Sequence, residues 1–87
     1  MALFINIGFG NVVNSKRIVS MVSNDAAPIK RMIQIARDEG KVVDGTCGRK
    51  TKTAIILDSG HIILSALTTD TITARCHNKI EDRKEEE

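Results

Sequence analysis

Tryptophan and tyrosine are absent from this 87-residue chain, and its aromatics are Phe4 and Phe9 alone. The core must therefore be aliphatic, and no row of aromatics marks a platform for single-stranded nucleic acid. No apolar run approaches the roughly 20 residues that a membrane-spanning helix needs. The first residues lack the basic, apolar and small-residue design of a signal peptide. No membrane is expected as a partner, and the expected location is the cytoplasm. Cys47 and Cys76 have neither close spacing nor a secretory context, which reads as two reduced thiols.

Charge is unevenly distributed. The last seven residues, 81–87, hold five acids, two bases and no apolar side chain. Such a segment buries too little to offset the entropy of ordering, so it is expected as a disordered acidic tail. Residues 1–80 form the expected single domain, with 11 bases against 6 acids. A basic body with an acidic tail points toward a polyanion. A chain this small has a thin core, and self-association is a common way to bury more surface.

Residues 2–7 alternate as a strand, with Phe4 suggesting cover on the second face as well. Gly8, Phe9, Gly10 and Asn11 form a turn signature. Val12 and Val13 briefly resume the strand, and residues 16–22 read as the next one, with Arg17 at its start. Ser23, Asn24 and Asp25 offer helix caps, and Pro28 suits a first turn. Ile29, Met32, Ile33 and Ala36 then stripe a helix over 26–39, which Gly40 stops. Residues 41–44, 53–57 and 61–67 read as strands, the last two as a hairpin around Asp58, Ser59 and Gly60. Thr68, Thr69 and Asp70 cap a closing helix carrying Ile72, Cys76 and Ile80. The expected fold is α+β, a small mostly antiparallel sheet with two helices in the order β-β-α-β-β-β-α.

The signals for enzyme chemistry are poor. Gly48-Arg49-Lys50-Thr51 has the wrong spacing for a phosphate-binding P-loop, and a strand follows where a helix is required. Gly8-Phe9-Gly10 lacks the third glycine of a dinucleotide site. Cys47, Cys76, His61 and His77 lack paired ligand spacing, although sequence alone leaves a zinc site from them open. No cofactor, metal, catalytic residue or small-molecule substrate is expected. Arg49, Lys50 and Lys52 are the better signal. They crowd a glycine-containing loop, where cations suit phosphate contacts. A solvated charged loop is the plainer alternative.

The motifs Phe4-Ile5-Asn6-Ile7-Gly8-Phe9-Gly10-Asn11, Arg17-Ile18-Val19, Ala27-Pro28-Ile29-Lys30-Arg31, Gly48-Arg49-Lys50-Thr51 and Asp58-Ser59-Gly60-His61-Ile62-Ile63-Leu64-Ser65 together resemble the RemA family. Members of that family, the extracellular matrix regulatory protein A type, are bacterial regulators that bind DNA and activate biofilm matrix genes. The resemblance implies a fold like the DNA-binding LytTR domain, assembled into a homo-oligomeric ring, reported as octameric, whose basic surface meets double-stranded DNA. It implies DNA contacts at Arg17, Arg49 and Lys50, where the chain has Lys in place of the family's Arg. Lys52 joins them through its place in the basic loop. Pro28 is expected as a structural residue or a subunit contact. The competing expectation is a ring-forming scaffold that binds no DNA.

Overall fold

The computed structural model describes residues 4–77. The expected tail, Ile80 and the last part of the expected domain lie outside them. Strand β1 (Phe4–Gly8) and strand β2 (Asn11–Asn14) pair antiparallel as a hairpin, with Ile5 opposite Val13 and a bulge between Asn6 and Gly8. A single 3-10 turn (Ser15–Arg17) leads into β3 (Ile18–Ser23). Helix α1 (Ala27–Asp38), β4 (Val42–Asp44), β5 (Thr53–Leu57), β6 (Ile62–Ser65) and α2 (Thr69–His77) follow. The second sheet has the order β3-β5-β6-β4, antiparallel except for the β4–β6 pair.

This is an α+β chain with two helices, as expected, but with two sheets rather than one and an additional strand. Val12 and Val13 belong to a strand of their own, β2, which folds back on β1. The strand expected over 16–22 starts only at Ile18, because Asn14 Oδ1 accepts from the Lys16 N–H at 2.9 Å and coils the chain there. Its side-chain alternation is also broken. A bulge between Ile18 and Ser20 puts Ile18 on the same side as Met21 and leaves Val19 exposed.

Both faces of the larger sheet are covered, which explains why β5 and β6 read as nearly continuous apolar runs. On one face α1 lays Ile33 and Ala36 over Ala54, Ile62 and Leu64. On the other, the β1–β2 hairpin and α2 bring Ile5, Ile7, Val13 and Ile72 against Ile55. The stripe predicted for α1 is the one that packs. Its cap differs, because Ala26 holds the N-cap position without a side-chain hydrogen bond. Ser23 Oγ is spent on Asp25 Oδ2 at 3.1 Å. The Asn24 side chain is turned to the Thr51 carbonyl, to which its Nδ2 donates at 3.5 Å. Gly40, at φ +74°, ends the helix as expected. At α2, Thr68 Oγ1 accepts from the Thr71 N–H at 3.2 Å, so that cap forms as read. Phe4 is 64 % exposed, so among the described residues the cover expected over it is not found.

Candidate nucleic-acid interface

The basic loop between β4 and β5 is anchored from several directions. At its start the Gly45 N–H donates to the Leu64 carbonyl at 2.9 Å, and Asp44 Oδ1 accepts from Thr46 N and Thr46 Oγ1 at 2.9 and 2.6 Å. The Thr46 hydroxyl first, and its N–H second, hold the Asp44 carboxyl below its ordinary value. Cys47 and Gly48 both turn through positive φ, 54° and 82°, and the Arg49 N–H closes back on the Thr46 carbonyl at 3.0 Å. At the end of the loop the Lys52 N–H reaches the Ser65 carbonyl at 2.9 Å, and Thr53 Oγ1 reaches the Leu67 carbonyl at 2.7 Å.

The turn between β1 and β2 lies against this loop. Asn11 Nδ2 donates to both the Gly8 and the Gly45 carbonyls, at 3.0 and 3.2 Å. A side chain at Gly45 would meet the Leu64 carbonyl and Asn11 Nδ2 at 3.1 and 3.2 Å, so glycine suits this junction. The Arg49 guanidinium lies over the Phe9 ring, with its carbon 5.2 Å from the ring centroid. A groove of about 300 Å³ runs between Phe9, Arg49, Lys50, Lys52, Ala66 and Leu67. A second one, of about 230 Å³, lies between Ser23, Asp25, Thr51 and Thr68 and shares Lys50 and Lys52 as lining. The two lysines thus stand on a ridge between two grooves.

The structure brings Arg49, Lys50 and Lys52 together, and all three are exposed. Arg17 stands elsewhere. Ile18 pairs with Leu57 while Ser23 pairs with Thr53, so Arg17 and the basic loop sit at opposite ends of the β3–β5 ladder. The Arg17 Nη1 donates to Asp58 Oδ2 at 3.1 Å, and the two side chains are 65 % and 45 % exposed. Pro28 occupies the first turn of α1 and lines an apolar groove of about 500 Å³ with Met32, Ile35, Ile56 and Ile62. Sequence pattern alone does not mark Phe9 or Asp58 as parts of these sites. A bulky aromatic between two glycines in a turn is the signal for the first; the second has no local signal.

Cys47, Cys76 and His61 stand apart from one another. Cys47 is exposed on the basic loop, and Cys76 lies on α2 against the hairpin-side core, where burial pushes its thiol up. His61 Nδ1 meets Ser59 Oγ at 2.8 Å in the β5–β6 turn. Among the described residues no three His, Cys, Asp or Glu side chains gather at a metal-binding distance. Gly48-Arg49-Lys50-Thr51 runs into β5, and no helix N-terminus follows it. Among the described residues no helix is long and apolar enough to cross a membrane.

Comparison with known sequences decides the family. The profile of the family described as RemA-like, Extracellular matrix regulatory protein A-like, matches residues 4–76. The chain belongs to the RemA-like family. A relative from Carboxydothermus hydrogenoformans is 54 % identical over 76 residues, covering 87 % of each chain. One from Geobacillus kaustophilus is 53 % identical over 77 residues, covering 88 % of each. One from Clostridium botulinum is 53 % identical over 78 residues, covering 90 % of this chain and 86 % of its own. All three carry the name "Putative regulatory protein". The RemA-like match spans the hairpin turn, the basic loop and both helices as far as Cys76.

Proposed function

We propose that this RemA-like chain is a DNA-binding transcriptional regulator. It works as a homo-oligomeric ring in the bacterial cytoplasm, with its basic surface on double-stranded DNA at promoters of biofilm matrix genes. Its relatives' names support a regulatory role. The observation that carries the DNA reading is the convergence of Arg49, Lys50 and Lys52 on an anchored loop between two grooves. Nothing lies within 4 Å of where a side chain at Gly48 would begin, so a phosphate can come close to the backbone beside Arg49.

In this reading the guanidinium and the two ammonium groups donate to phosphate oxygens and displace counterions. One subunit offers few such contacts. A ring repeats them, and binding then depends on many weak contacts made together. Sequence preference comes largely from how easily DNA follows the ring, as in other backbone-dominated complexes. Arg17 contributes at a separate point of each subunit, partly neutralised by Asp58. No catalytic step is assigned to any residue.

The test is a fluorescence anisotropy titration of a labelled duplex over several salt concentrations, with particle size followed in parallel. The logarithm of affinity should fall linearly with the logarithm of salt. Arg49→Ala should weaken binding by roughly tenfold, since every subunit loses one contact. Lys50→Arg should bind as tightly or slightly more tightly, because it keeps the charge and adds forked donors. Asp58→Asn should bind more tightly, as it frees Arg17 and removes a negative charge from each subunit. If Arg49→Ala binds as tightly as the parent, the scaffold reading replaces this one.

A further inference from the structure

The two cationic sites hold their arginines in different ways. Arg17 is held by a carboxylate, which takes one of its in-plane donors. Arg49 is held by a ring face, and among the described residues no protein acceptor takes its guanidinium N–H groups. A guanidinium over a ring face is restrained on that side, while the N–H groups turned away from the ring stay available to a phosphate.

Phe9 is placed for this at a conformational cost. Its φ is 54°, a region that bulky side chains rarely enter. Strain of this kind persists where the surroundings hold it in place, and here they do. Asn11 ties the turn to Gly45 across 34 residues of sequence, and Gly8, at φ +109°, lies beside the Leu67 side chain. The turn is thereby docked beside the loop that carries Arg49.

We propose that Phe9 is a positioning residue for DNA binding: its ring, held in the strained β1–β2 turn, fixes the Arg49 guanidinium over the groove and leaves the donor fork free for a backbone phosphate. This rests on the DNA-binding reading above. Phe9 acts through Arg49 and makes no base contact of its own. Removing the ring should therefore cost nothing further once Arg49 is gone.

The experiment is a double-mutant cycle in the full chain, read by anisotropy on a labelled duplex with particle size checked by light scattering. Phe9→Leu should weaken binding about threefold, the weight of an exposed cation–π contact. Phe9→Tyr, which keeps the ring, should stay within about twofold of the parent. Phe9→Leu combined with Arg49→Ala should bind no more weakly than Arg49→Ala alone. Parent-like affinity for Phe9→Leu, or losses that multiply in the double variant, would overturn the proposal while leaving DNA binding intact. A second measurement needs no DNA. In the free protein the Arg49 Nε–H resonance should be displaced by the Phe9 ring current and should return to an ordinary arginine position in Phe9→Leu. An undisplaced resonance in the parent overturns the proposal even if Phe9→Leu does not fold. A displaced resonance with no DNA binding by the parent retains the stacking but overturns the positioning role together with the DNA reading.

Discussion

At the scale of single residues, hydrogen bonds and charge decide what the basic loop is. Thr46 is buried, and it delivers both its hydroxyl and its N–H to one oxygen of Asp44. Because the folded carboxyl titrates below its ordinary value, the stability it contributes is present above the carboxylate range and is lost as pH falls through it. Thr46→Val removes the hydroxyl bond. It should therefore lower stability at neutral pH, and that deficit should shrink at acid pH, as the pH falls below the ordinary carboxylate value and Asp44 takes up its proton. Urea unfolding at the two pH values checks this. Equal losses at both would mean that Thr46 acts only through packing.

At the scale of elements, one serine joins three pieces of chain. Ser65 closes β6 with no exposed surface, donates to the Ile7 carbonyl of β1 at 2.8 Å, and accepts from the Leu67 N–H at 3.1 Å. The two-stranded hairpin is thus bonded to the four-stranded sheet beside the loop that bears Arg49. Ser65→Ala leaves a buried carbonyl and a largely buried N–H without that partner. It should cost about 1–3 kcal/mol of unfolding free energy. A denaturant titration measures the loss directly. An unchanged midpoint would mean that these groups find other partners at little cost.

At the scale of the molecule, the described chain leaves much apolar surface bare. Phe4, Val12, Val19, Ile35 and Val43 are all large, apolar and exposed, and Val19 and Val43 lie on the outer strands of the larger sheet. The groove beside Pro28 is lined by apolar side chains together with Arg31 and Glu39, so it offers both signs of charge to a second copy of the chain. On the oligomer proposed above, Ile35→Asp should leave a folded subunit, since Ile35 is 54 % exposed, yet shift the assembly toward the 9.5 kDa monomer. Light scattering across micromolar concentrations, with circular dichroism as the folding control, decides it. A parent that is monomeric throughout would sink the assembly. A chain ending at Ile80 should fold and assemble as the parent does, because residues 81–87 carry no apolar anchor.

The sequence by itself determined what depends on local pattern. The stripe of α1, its stop at Gly40, the cap at Thr68, the β5–β6 hairpin, and the clustering of Arg49, Lys50 and Lys52 all follow from spacing or adjacency, and each is present in the fold. Tertiary structure decided what depends on partners distant in sequence. The split into two sheets, the parallel β4–β6 pair and the bulge at residue 19 arise from which strands meet. So does the cap at Ala26, because the Asn24 side chain is drawn to the carbonyl of Thr51. The separation of Arg17 from the basic loop, its pairing with Asp58 and the stacking of Phe9 on Arg49 follow in the same way. Periodicity reports which face of a segment is buried, but it is the same whatever buries that face. The partner is chosen by packing and hydrogen bonding across the folded chain, as Asn11 and Gly45 meet from 34 residues apart.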